Sequence, residues 1–206
     1  MRFTITGRQF AAAVTLAVGT AGAAQSASAQ SVTLASVLNG AQEVPATTTP
    51  ATGFGSLTYN QAAGTINIAL RVSGLTGATQ GVGPGNGPGH VHLAAPGVNG
   101  PIVIPITVAP IGATSFDVTQ SYTFASLLGI GVSQANVTAL TTELNRLVGT
   151  GQGTVANLYF NVHTTTFPGG EIRGNLTVAP EPGTVALVGA GLVTVGAAVR
   201  RRRQQA

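Results

Sequence analysis

The 206-residue chain contains no cysteine, which excludes a disulfide framework and any thiolate metal site. Charge is almost as scarce. Charged residues make up 7% of the chain, nine arginines against five acidic groups. Arg2, Arg8, Arg200, Arg201, Arg202 and Arg203 crowd the two ends, and only Arg71, Arg146 and Arg173 occupy the interior. Facing those three are Glu43, Asp117, Glu143 and Glu171. A nucleic-acid surface needs a basic stripe to neutralise phosphates, so no nucleic-acid partner is expected. So few acidic groups leave no cluster of catalytic carboxylates. Serine and threonine are abundant, but no GxSxG setting marks a nucleophile. The glycine-rich "GVGPGNGPG" (81–89) has neither the Lys-Ser/Thr of a P-loop nor a dinucleotide fingerprint.

Long apolar runs occur only at the ends. Arg2 and Arg8 precede "FAAAVTLAVGTAGAA" (10–24), and "ASA" (27–29) fits a small-residue cleavage site. Residues 1–29 therefore read as a secretory signal peptide, a substrate for signal peptidase. At the other end, Pro180, Glu181 and Pro182 precede an apolar stretch over 183–199, then Arg200 to Arg203. That length sits at the lower bound for a transmembrane helix, and the arginines would hold its end in the cytoplasm. Triplet, helix and basic tail, in that order over 180–206, resemble the PEP-CTERM sorting signal of Gram-negative bacteria. The resemblance implies recognition and removal by an exosortase-type membrane peptidase. A plain membrane anchor is the alternative.

Between the signals, short β-branched and aromatic runs alternate with Gly, Pro, Asn and Thr. "TINIALRV" (65–72) sets Ile66, Ile68, Leu70 and Val72 on one face. Segments 32–38 and 53–60, "PIVIPITV", "SFDVTQSYTF", "LYFNVHT" and "GEIRGNLTV" are further runs. Such spacing predicts an all-β fold, an antiparallel, Greek-key-like β-sandwich or barrel. One segment departs from it. "SQANVTALTTELNRLVG" (133–149) spaces Val137, Leu140, Leu144, Leu147 and Val148 as one short amphipathic helix, with Ser133 as N-cap and Gly149 as its stop.

The chain has three histidines: His90 and His92 in "GHVHL", and His163 in "YFNVHTTTFPGGEIRG". Strand parity sends Val91, Leu93, Phe160 and Val162 to the core. His90, His92, Tyr159, Asn161 and His163 then point to the opposite, polar face, as do Glu171, Arg173 and Asn175. Neighbouring strands would let the imidazoles converge. Neutral imidazole suits zinc or copper, and three histidines would leave one position open. The competing reading has the histidines as structural or surface residues, exposed on the strand or pinning a loop carbonyl through an N–H, and Glu171 with Arg173 as a surface ion pair worth about 0–1 kcal/mol.

"LNGAQEVPATTTPATGFGSLTYN", "RVSGLTG", "GHVHLAAPGVNGPIVIPI" and "LYFNVHTTTFPGGEIRGNL" together resemble the CHRD (chordin-type) domain over 32–178. The carrying motifs are Glu43-Val44-Pro45, the His-x-His with its Gly-x-x-Gly-Pro turn, and Asn-x-His-Thr leading to Pro-Gly-Gly-Glu-Ile-Arg-Gly. Asn161, Thr164, Glu171 and Arg173 are motif residues. No catalytic activity is attributed to the module, and without cysteine-rich neighbours the growth-factor binding of chordin does not transfer. The His-x-His strand also resembles that of Cu/Zn superoxide dismutase. That enzyme's bridging histidine, zinc aspartate and disulfide have no counterparts, so at most one mononuclear site could form.

The expectation is an exported, noncatalytic protein of the cell surface or extracellular matrix with a structural or binding role and no cofactor. Its partners would be the two peptidases, and exopolysaccharide or other surface proteins. The alternative is a mononuclear copper or zinc protein with redox activity, held by His90, His92 and His163.

Overall fold

The computed structural model describes residues 31–107, 112–180 and Arg200. The expected signal peptide and nearly all of the sorting signal lie outside them, including Glu181, Pro182, Arg201, Arg202 and Arg203. No described helix is long and apolar enough to cross a membrane.

Eight antiparallel strands form one sheet. They are β1 (Ser31–Asn39), β2 (Thr52–Asn60), β3 (Thr65–Ser73), β4 (Gly89–Leu93), β5 (Ile102–Ile106), β6 (Phe116–Thr123), β7 (Val155–Val162) and β8 (Ile172–Val178). Their order is β5-β4-β7-β8-β1-β2-β3-β6. The sheet curls until it is a nearly closed barrel. Its two edges meet through side chains rather than a ladder. Gln120 on β6 clasps the backbone and hydroxyl of Thr107 just past β5, and the Tyr122 hydroxyl donates to the Pro105 carbonyl. Pro105, which has no N–H to give a ladder, suits this edge position.

Alternation explains the core. Leu34, Leu38, Leu57, Ile66, Ile68, Leu70, Val91, Phe160, Val162, Ile172 and Leu176 are all buried inside. Phe160 reaches across the barrel to Gly55, where even a Cβ would lie 2.5 Å from its ring. The helix expected over 133–149 is present as α2 (Gln134–Leu147), after the six-residue α1 (Phe124–Gly129). Ser133 accepts from the Asn136 N–H at 3.2 Å, as an N-cap should. Val137, Leu140, Leu144 and Leu147 form its buried stripe. α1 was not expected, because "SFDVTQSYTF" reads as one strand. A reciprocal capping box between Thr123 and Ser126 ends the strand there and starts the helix.

One expectation about the sheet needs correcting. Val91 and Phe160 are buried as parity requires, yet the face behind them is not wet. His90, His92, Tyr159, Asn161, His163, Glu171 and Arg173 are all under 9% exposed. Segments 40–51, 77–88, 94–101 and 163–171 fold over this part of the sheet. The strands β4, β7 and β8 are therefore covered on both sides, by an apolar barrel interior and by a roofed polar layer.

Candidate metal centre

His90 and His92 occupy alternate positions of β4, whose neighbour is β7. The ladder pairs His90 with Asn161 and His92 with Tyr159. His163 is the first residue after β7, its backbone N–H bonded to the Pro88 carbonyl. The expected convergence occurs: one ring nitrogen from each histidine lies within 4.8 Å of one from each of the others. Ring centroids stand 5.0 Å apart for His90 and His163, 5.6 Å for His90 and His92, and 6.2 Å for His92 and His163. Bonds of about 2.0–2.1 Å to one tetrahedral ion put ligand nitrogens about 3.4 Å apart.

The roof aims each imidazole. His90 Nε2 lies 3.0 Å from the Val82 carbonyl, in a loop turned back by left-handed Gly83 and Gly85. His92 Nδ1 lies 2.9 Å from the Gly100 carbonyl, and His163 Nδ1 2.9 Å from the Pro168 carbonyl. A carbonyl only accepts, so each of these nitrogens carries the proton. The other nitrogen of each ring, His90 Nδ1, His92 Nε2 and His163 Nε2, is left as a buried lone pair with no partner. Fixing the tautomer by a backbone carbonyl is the usual outer support of a metal-bound histidine. Burial drives the His90 pKa down to about 3, with His163 and His92 adding repulsion. Burial likewise lowers His92 to about 4, and it lowers His163 as well. All three rings are therefore neutral at physiological pH, the form that binds metal.

Tyr159 stacks on His92, 9° from parallel with centroids 4.9 Å apart, and its hydroxyl accepts from the Gly100 N–H. Arg173 comes from β8 on the far side of Tyr159. Its guanidinium carbon lies 3.4 Å from the ring centroid, and its N–H groups donate to Asn99, Asn175 and the carbonyls of Val98 and Ala95. Hence Arg173 is not ion-paired with Glu171, as a surface reading of the motif supposes. Glu171 points the other way. It accepts from the hydroxyls of Thr49, Thr76 and Thr164 and from the Thr76 N–H, lacing roof segments 40–51 and 163–171 to the chain just before 77–88. Burial pushes its pKa up, but those hydrogen bonds outweigh burial and hold it below the usual carboxylate range. Thr164 also accepts from the Phe167 N–H, closing the turn before Pro-Gly-Gly.

Glu43 was not singled out as a site residue, although it is one of four interior acids in the Glu-Val-Pro motif. It is 6% exposed and lies over the site's rim, with Oε2 3.4 Å from Asn161 Nδ2. Burial raises its pKa to about 7 against the opposing pull of Arg173.

The CHRD domain family matches residues 34–176. This chain belongs to that family. The PEP-CTERM protein-sorting motif matches residues 178–203, which implies an exported cell-surface protein handled by exosortase-like machinery. No curated protein and no solved structure matches the chain.

Proposed function

We propose that this CHRD domain is a noncatalytic binding module of the cell surface whose ligand is one zinc or copper ion, held by His90, His92 and His163. One observation carries the reading. Three buried imidazoles, each pinned at one nitrogen by a backbone carbonyl, leave three unpartnered lone pairs within reach of a single ion. An unpaired polar atom in a buried layer costs about 1–3 kcal/mol, and a metal would remove that cost at three atoms together. The sorting motif supplies the address. A dinuclear copper–zinc site is excluded by the histidine count alone, since the chain has three.

The test is elemental analysis of the purified exported protein, loaded with zinc or copper and then desalted. About one ion per chain is expected, falling to background in His90→Ala and His163→Ala variants that keep the wild-type circular dichroism. Wild-type protein that retains no stoichiometric metal would overturn the proposal.

A further inference from the structure

Among the described residues, five buried side-chain atoms have no hydrogen-bond partner, and the three histidine nitrogens are only part of that set. The others are Glu43 Oε1 and Asn161 Oδ1. All five belong to the single polar layer between β4, β7 and their roof, and all five are acceptors when Glu43 is ionised. A metal ion held by three imidazoles pairs three of them and leaves two oxygens still needing a donor.

Those two oxygens converge. A Cβ built on Gly170 would lie 2.5 Å from Asn161 Oδ1 and 2.6 Å from Glu43 Oε1, so both atoms crowd one small volume. Asn161 pairs across the ladder with His90 and precedes His163 by two residues, which sets its side chain on the ligand face. Glu43 also lines a cavity of about 250 Å³ with Val44, Thr47, Phe167, Pro168 and Gly170. The Pro168 carbonyl is the group that orients His163 through Nδ1, so this cavity lies beside the protonated edge of that ring, and Glu43 and Gly170 link it to the two oxygens.

We propose that the centre keeps a fourth coordination position for a water molecule, whose two O–H groups donate to Glu43 Oε1 and Asn161 Oδ1, and that this position exchanges with small anions through the Glu43 cavity. The inference rests on the three-histidine reading and deepens it. A four-coordinate ion with three protein ligands and one water is the open form of such a site. One water also satisfies every remaining buried acceptor in the layer. Glu43 and Asn161 act as positioning residues for that ligand, not as ligands themselves.

The full-length protein loaded with Cu(II) tests this by electron paramagnetic resonance. In ¹⁷O-enriched water the copper lines should broaden, and azide should abolish the broadening while shifting the spectrum with one azide per copper. Glu43→Gln keeps the side chain's size and, in a buffer well above pH 7 where Glu43 is ionised, removes its negative charge. It should retain one copper per chain and bind azide about tenfold more tightly, the scale of one hydrogen bond to a charged group. A wild-type spectrum indifferent to both ¹⁷O-water and azide would show a closed site and overturn this inference while leaving the metal centre intact. An unchanged azide affinity in Glu43→Gln would remove Glu43 from the role. A chain that takes up no copper or zinc overturns the centre itself, and this inference with it.

Discussion

Glu143 shows what a single carboxylate does in so uncharged a chain. It sits on the buried side of α2, takes a two-pronged contact from Arg146 at 2.6 and 2.8 Å, and accepts the Asn157 N–H at 2.7 Å. Burial pushes its pKa up, but the bonds from Arg146 and Asn157 prevail and hold it below the ordinary value of 4.5. A carboxylate with a depressed folded pKa stabilises the protein above its unfolded pKa, and that stabilisation fades as pH falls through the folded value. Glu143→Gln should therefore cost about 1–2 kcal/mol in urea unfolding at pH 7. The gap between variant and wild type should shrink as pH drops below 4.5. A gap independent of pH would assign the stabilisation to shape alone. Glu171 and Arg173 teach the reverse lesson about reading residues. Two opposite charges spaced by one residue look like a surface pair, yet each is fully buried with separate partners. Apart from Thr164 and Asn175, their side-chain partners come from Thr49, Thr76 and segment 95–99, which no local pattern connects to them.

At the scale of the element, α2 was legible because its cap and its apolar stripe are local. Ser133, Val137, Leu140, Leu144 and Leu147 fall at helical spacing whatever the rest of the chain does. Their energetic weights differ. Ser133→Ala removes one cap bond and should cost about 1 kcal/mol. Leu140→Ala leaves a cavity beneath the helix and should cost about 2–5 kcal/mol. Chemical denaturation of the two variants checks the order, and a larger loss at Ser133 would contradict the packing. β4 and β7 were equally legible in parity, since Val91, Phe160 and Val162 alternate with the polar set. What alternation could not show is burial on both faces. A roofed polar layer uses His, Asn, Tyr, Glu and Arg, the same residue types that a solvated face would carry. Glycines at 83 and 170, left-handed at φ 63° and 131°, mark where the roof turns, but a turn residue does not say what lies under it.

On the scale of the whole molecule, the barrel and its roof divide the work. The interior stabilises the fold with aliphatic side chains, while the roof organises polar groups that would otherwise have stayed in water. Buried unpaired acceptors make the apo layer a source of instability, and metal binding should relieve it. An ion present at about 100 times its dissociation constant adds about 2.7 kcal/mol to unfolding. Thermal unfolding of wild type should therefore shift upward with zinc or copper, and the shift should vanish in His163→Ala. An equal shift in that variant would place the metal elsewhere.

The letters alone determined the all-β class, the capped helix, the exported address and the common face of the three histidines. Each of these follows from periodicity or from motifs contiguous in the chain. Tertiary structure alone decided that β4 and β7 are neighbours, that the histidine face is covered by four loops, and that one nitrogen of each imidazole is held by a carbonyl. Strand order and loop closure depend on contacts between residues far apart in the chain, such as Thr49 and Glu171, 122 positions apart. Side-chain periodicity carries no information about such partners, because it records which face a residue takes and not what comes to cover it.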